Sequence, residues 1–172
     1  MSEMTKLIVA KALREMSFGK LMEVYAEGNL ENGRDLWPDE PEGRQIALAE
    51  QEFYQYLQQV FFRTKDARYL ILEEGNRYIS ALRLEPYQDG LLLEALETAP
   101  GYRNQGYAAA LVRAALETVG NTKVYSHVGK RNAASLRTHE KCGFVKILDR
   151  AVYADGSVND VCCTLCHFRG VE

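Results

Sequence analysis

Long apolar runs are missing from this sequence. No uninterrupted apolar stretch exceeds a few residues, whereas a membrane-spanning helix needs roughly 20. The first 20 residues carry Lys6, Lys11, Arg14 and Lys20 spread throughout, without an apolar block and a small-residue cleavage site. Neither secretion nor membrane association is expected, and the cytoplasm is the expected location. An excess of positive charge is missing too. The 21 Lys+Arg stand against 24 Asp+Glu, a net charge of −3 that argues against a general nucleic-acid binder. Repeats, low-complexity tracts and Pro/Gly/Ser linkers are absent, so residues 1–172 are read as one domain.

Cysteine is scarce, and three of the four (Cys162, Cys163 and Cys166, with Cys142 apart) crowd into one apolar segment. Cys163-Thr164-Leu165-Cys166-His167 spells a c-type haem attachment pattern. Residues 161–168 read instead as a buried strand in which reduced cysteine serves as a small hydrophobe, so no haem is expected. A zinc site would need a second ligand pair, and His127, His139 and Cys142 lack the spacing, so no metal is expected either.

The composition that remains, 47% hydrophobic and 26% charged, is that of a soluble globular chain. At this length roughly 70% of the unfolded surface can be buried, enough for a core without disulfide or metal staples. The net charge conceals a partition. Residues 23–52 hold nine acidic side chains (Glu23, Glu27, Glu31, Asp35, Asp39, Glu40, Glu42, Glu50, Glu52) and two basic ones (Arg34, Arg44), a balance of −7 that leaves +4 for the rest. A solvated acidic helical surface is the ordinary explanation, and a field that selects a substrate is the other.

Hydrophobic periodicity orders the elements. A short strand is expected over residues 7–14, then a helix through Leu21, Val24 and Tyr25 that stops near Gly28 to Gly33, and a second helix over 44–62. The period then shortens. Tyr69-Leu70-Ile71-Leu72 and Tyr78-Ile79-Ser80-Ala81-Leu82 flank a Gly75-Asn76 turn, and residues 91–98 form a third strand. A helix between Gly106 and Gly120, a strand at 124–128, a helix at 132–141 and strands at 144–153 and 161–168 complete a mixed-sheet α/β domain.

The segment with the most chemistry is Leu96-Glu97-Thr98-Ala99-Pro100-Gly101-Tyr102-Arg103-Asn104-Gln105-Gly106-Tyr107-Ala108. A strand turns there through a glycine-containing loop into an alanine-rich helix. The first amides of a helix lack intrahelical partners and carry the positive end of its dipole, so the junction suits an anion. Gly106 and Ala108 leave the approach open, and Arg103 adds a guanidinium. Neither the P-loop pattern nor the dinucleotide fingerprint is present.

What is present, R-x-x-G-x-A after a strand, resembles the acyl-CoA pyrophosphate loop of the GNAT-type N-acetyltransferase superfamily. Downstream, Asn132-Ala133-Ala134-Ser135-Leu136-Arg137-Thr138-His139-Glu140-Lys141-Cys142-Gly143-Phe144 is similar to that family's second signature. Asn132, Ser135 and His139 stand at i, i+3 and i+7 on one helix face, and Asn132 also suits an N-cap.

The resemblance implies a GNAT-like fold, with a mixed and mostly antiparallel sheet of six to seven strands and helices on both faces. It implies acetyl transfer from acetyl-CoA to a primary amine by direct attack. Leu96, Glu97 and Thr98 would pair with pantetheine, and Arg103, Asn104, Gln105, Gly106, Tyr107 and Ala108 would hold the pyrophosphate. Asn132, Ser135 and His139 would lie toward the thioester. Glu94 and Glu97, on opposite faces of a regular strand, are both candidates for the proton acceptor. His139 occupies the position where many relatives carry a tyrosine acid, and histidine can donate a proton. The −7 segment suggests a small cationic acceptor, with Tyr25, Trp37, Phe53 and Tyr54 as aromatic walls. The alternative is a non-catalytic acyl-CoA-binding or sensing module. Acetyl-CoA and a small amine are the expected partners, with no nucleic acid or membrane, and the chain is expected to be a monomer or homodimer.

Overall fold

A computed structural model of the chain describes residues 4–170. Strand β1 (Thr5–Ala10) is followed by three helices, α1 (Phe18–Val24), α2 (Ala26–Leu36) and α3 (Glu42–Gln59). A meander of β2 (Arg68–Glu74), β3 (Arg77–Tyr87) and β4 (Gly90–Thr98) leads into α4 (Tyr107–Val119), β5 (Val124–Gly129) and α5 (Ala133–Lys141). Strands β6 (Val145–Leu148), β7 (Ala151–Val152), β8 (Val158–Asn159) and β9 (Cys162–His167) end the chain. Seven strands form one sheet in the order β1-β2-β3-β4-β5-β9-β6, and β7 and β8 form a separate hairpin. Every neighbouring pair in the large sheet is antiparallel except β4 with β5.

Several boundaries differ from the sequence expectation. The first strand ends at Ala10, and residues 13–15 turn as a short 3-10 helix instead of extending it. The early helical segment is two helices, not one, and α2 runs through Gly28 and Gly33. Gly33 is there for contact: a Cβ on it would lie 2.6 Å from the Gln45 carbonyl oxygen of α3. The single strand expected over 144–153 breaks into β6 and β7, and the Asp155-Gly156 turn joins β7 to β8.

Helices cover both faces of the sheet. On one face Leu111, Val112, Ala115 and Leu116 of α4 pack with Leu70, Leu72, Leu82, Leu84, Leu93 and Val128. On the other, Leu21 and Val24 of α1 and Leu57 of α3 pack with Tyr69, Ile71 and Ala81. Alternate residues of β2 therefore serve opposite cores, so Tyr69-Leu70-Ile71-Leu72 is apolar throughout, as a strand buried on both faces must be.

The parallel junction is short. Leu91, Leu92 and Leu93 pair with Val124, Tyr125 and Ser126, and beyond that point the strands part. Residues 94–98 continue along β3 alone, while His127 to Gly129 continue along β9 alone. A β-bulge accompanies the parting: Arg83 pairs with Glu94 but Ala81 pairs with Glu97, which puts one extra residue on β4. Ala95 sits in the bulge with φ of 53°. Its carbonyl accepts a 2.6 Å hydrogen bond from the hydroxyl of Tyr25, which in turn accepts from Tyr69 at 2.9 Å.

Close approach of the backbones holds the junction shut below the parting. The amide of Leu91 donates to the Lys123 carbonyl at 2.9 Å, and a Cβ on Gly90 would lie 2.2 Å from that same oxygen. Gly90→Ala is expected to destabilise the fold by about 1–3 kcal/mol, the usual cost of overpacking. Urea unfolding measures it, and an unchanged midpoint would show that β4 and β5 can move apart freely here.

Candidate active site

The loop after β4 makes a 3-10 turn at Pro100–Tyr102 and enters α4 through Gly106. Gly106 precedes the first helical residue with φ of 85°, a left-handed conformation that glycine adopts without strain. No side chain caps this end, and the amide of Ala110 is the one that reaches the Gly106 carbonyl. The amides of Tyr107, Ala108 and Ala109 are thus without intrahelical acceptors at the positive end of the helix dipole.

Opposite stands α5. Asn132 is its N-cap, its side-chain oxygen accepting from the Ser135 amide at 3.1 Å. A cavity of about 580 Å³ lies between the two helices and the end of β4. Leu96, Glu97 and Thr98 form its floor, Arg103, Asn104 and Gly106 through Ala109 one wall, and Asn132, Ser135, Arg137 and Lys141 the other. Arg137 and Lys141, one helical turn apart, enter no salt bridge among the described residues. Gln105 lies in the loop, but its side chain turns back to the Gly101 carbonyl at 3.5 Å.

The bulge corrects the placement of the two carboxylates. Because β4 gains a residue between them, Glu94 and Glu97 pair with Arg83 and Ala81, two positions apart on β3, and so share a face. That is the face covered by α1 and α3. Glu94 lies 3.5 Å from the Arg83 guanidinium, which stacks over the rings of Phe53, Tyr56 and Phe61 at 5.9, 5.0 and 5.5 Å. Burial pushes the Glu94 carboxyl up to about 7, with Arg83 pulling it down and Glu85 pushing it further up. Burial also raises Glu97, against the pull of Arg103.

Arg103 faces the carboxylates. Its guanidinium donates to Glu27 of α2 at 2.7 Å, to Glu97 at 3.2 Å and to the Thr98 carbonyl at 3.2 Å.

His139 is only 1% exposed and is not among the residues that line the cavity. Its Nδ1 is 2.7 Å from the Ser135 carbonyl, which can only accept, so Nδ1 carries the proton. Nε2 then accepts from the Ser126 hydroxyl at 2.8 Å. Burial lowers its pKa, with the Ser135 carbonyl acting in the opposite direction, and the ring is neutral near pH 7. The resemblance set His139 toward the thioester as a possible acid. Its ring is hydrogen-bonded as a strut between α5 and β5, next to the cavity-lining Ser135.

A sequence model described as the Acetyltransferase (GNAT) family matches residues 30–144. The chain belongs to the GNAT acetyltransferase family. Solved structures with the same fold include a variant of the spermidine N-acetyltransferase SpeG from Vibrio cholerae, 20% identical, TM-score 0.61, with 97% of this chain and 95% of that one covered. SpeG in complex with CoA and spermine is 18% identical, TM-score 0.58, with 97% and 96% covered. The ribosomal-protein-S18-alanine N-acetyltransferase from Escherichia coli is 14% identical, TM-score 0.61, with 95% and 92% covered. Comparison with curated protein sequences finds no match. As a GNAT enzyme the protein is an acyltransferase of the class that uses acetyl-CoA.

Sequence reasoning passed over Arg83, Arg137 and Lys141. Arg83 interrupts the apolar run of β3, a signal that a charge had to be paired inside. Arg137 and Lys141 were visible as an i, i+4 basic pair inside the second motif. Of the aromatic residues proposed as walls, Tyr25 is buried and committed to the Ala95 carbonyl, Trp37 and Phe53 are half-buried, and Tyr54 is exposed. Cys163 and Cys166 are three residues apart in β9 and so point to opposite faces, unlike the paired thiols of a haem attachment site. Among the described residues no group of three or more His, Cys, Asp or Glu is arranged to hold a metal ion, and no helix is long and apolar enough to cross a membrane.

The strut reading of His139 makes a two-part prediction. His139→Phe should cost about 1–3 kcal/mol by leaving the buried Ser126 hydroxyl without its acceptor, while kcat keeps its wild-type pH dependence between about pH 6 and 9. The folded ring has a depressed pKa, so the unfolded chain binds the proton more readily and the wild type loses stability as pH falls through the histidine range. The stability gap between wild type and variant should therefore shrink from pH 8 toward pH 5. Urea titrations at several pH values and a pH–kcat profile measure both parts, and a variant that loses most kcat at the low-pH end and no longer shows a wild-type decline toward high pH would restore the acid role.

Proposed function

We propose that the chain transfers an acetyl group from acetyl-CoA to the primary amine of a small cationic acceptor, by direct attack within a ternary complex. The observation that carries this reading is the parting of β4 from β5 after Leu93 and Ser126. It leaves the β5-facing edge of residues 94–98 without a strand partner, between a cavity lined by helix amides and an acidic face of the sheet.

The residues present suit acetyl-CoA. The amides of Tyr107, Ala108 and Ala109 offer donors to a pyrophosphate, and Arg137 and Lys141 offer uncommitted positive charge to further phosphate. Leu96, Glu97 and Thr98 present to an amide-bearing arm a strand edge that β5 does not pair, and Asn132 and Ser135 border the same cavity. The cofactor supplies an acyl group already activated as a thioester.

An alkylammonium with a pKa near 10.4 is neutral in only about one part in a thousand at pH 7, so the amine must lose a proton to attack. Glu94, held up to about 7, is matched to accept it. The new C–N bond replaces the C–S bond, and the proton shed by the amine balances the one the departing thiolate takes up. The neutral His139 has no part in that transfer. On the acceptor side, Glu31, Asp35, Asp39 and Glu40 are exposed and enter no ion pair among the described residues, which favours a cationic acceptor of polyamine, amino-sugar or amino-acid-derivative type. The structural neighbour solved with CoA and spermine supports the polyamine member of that set.

A free-thiol release assay with acetyl-CoA and an amine panel tests the reading. Cationic amines should exceed neutral and acidic ones in kcat/KM by about tenfold or more. The wild-type rate should climb with pH through about 7, the direction required of a base that must be deprotonated. Glu94→Gln should lower kcat by about a hundredfold and abolish that climb. Thermal stabilisation by CoA without amine-dependent thiol would make the chain a binding module, and a preference for neutral or acidic amines would overturn the cationic acceptor.

A further inference from the structure

The loop arginine stands where the sequence pattern suggests a phosphate contact, yet its donors point elsewhere. Nη1 of Arg103 is 2.7 Å from Glu27, Nη2 is 3.2 Å from Glu97 and Nε is 3.2 Å from the Thr98 carbonyl. These acceptors lie on two elements: Glu27 in the first turn of α2, Glu97 and Thr98 at the end of β4. The uncommitted cations around the cavity are on α5 instead, at Arg137 and Lys141.

We infer that Arg103 is a positioning residue for the acceptor side, a strut that ties α2 to β4 and holds the Glu97 carboxylate, and that the phosphate charge is carried by α5 and the α4 amides. This deepens the acetyl-transfer reading and rests on it. The physical argument is charge balance. Glu27 and Glu97 share one guanidinium, so the set carries −1; without Arg103 two carboxylates would repel each other across the gap between α2 and β4. A planar fork engaging two carboxylates and a carbonyl fixes direction as well as distance, which a phosphate contact made by the same group would have to undo. Glu27 also gains from the helix dipole at the start of α2, which makes this arrangement the cheaper one to keep.

The two ends of the strut give opposite answers if Arg103 is instead a phosphate ligand. Arg103→Gln and Glu27→Gln are each expected to raise the acceptor KM by about fivefold or more, with the double variant no worse than the poorer single one. CoA affinity by calorimetry should stay within about twofold of wild type for both, while Arg137→Gln weakens it by about fivefold or more. A weakened CoA complex in Arg103→Gln, or a tightened one in Glu27→Gln where the guanidinium has been set free, overturns the strut. Thermal unfolding of the wild type, Arg103→Gln, Glu27→Gln and their double variant reads the strut without turnover. Non-additive shifts in Tm for Arg103→Gln and Glu27→Gln support the strut even if the wild type transfers no acetyl group, and additive shifts overturn it.

Discussion

Hydrogen bonding between β4 and β5 stops after three residue pairs, and the rest of the site depends on that constraint. Below the stop, Gly90 and Lys123 bring the backbones too close for any side chain between them. Above it, the extra residue at Ala95 turns β4 out of register, and Tyr25 and Tyr69 fasten the turned carbonyl from below. A sheet with unpaired main-chain groups at its centre is costly unless something else pairs with them. Under the proposed acetyl transfer, that edge would take the extended, amide-bearing arm of the acyl donor.

The same bulge organises the charges. By shifting β4 one residue it puts Glu94 and Glu97 on one face, where each meets a different arginine. Arg83 lies beneath aromatic rings, so its partner Glu94 is desolvated and titrates high. Arg103 is nearer solvent and shared with Glu27, so it serves geometry more than it shifts a proton equilibrium. Two carboxylates three residues apart thereby receive different surroundings. The acidic excess belongs to the early helices and the uncommitted basic pair to α5, a separation that would suit the two oppositely charged substrates of the proposed reaction.

Much of this was legible beforehand. The order of elements, the hairpin at Gly75-Asn76, the cap at Asn132 and the glycine entry to α4 all follow from local rules, since periodicity, capping and positive φ are decided within a few residues. The misreadings were where distant contacts override those rules. Two glycines led the helical reading to stop early, but α2 continues because Gly33 is needed for contact with α3. The apolar character of 144–153 concealed a break between an edge strand and a separate hairpin. Alternation along β4 put Glu94 and Glu97 on opposite faces, because a bulge leaves no mark in a sequence whose bulged residue is an alanine.

The sequence by itself determined the family, the glycine entry to α4 and the uneven division of charge, because each is written in residue types at short, fixed spacing. Tertiary structure decided which partner every charged or polar group would take. His139, in a motif position associated with acid chemistry, is enclosed by Ser126 and the Ser135 carbonyl. Arg103, in the loop that enters α4, reaches back to an acidic residue 76 positions earlier. Spacing along a chain places side chains on an element. Only the packing of one element against another decides whether those side chains meet solvent, substrate or each other.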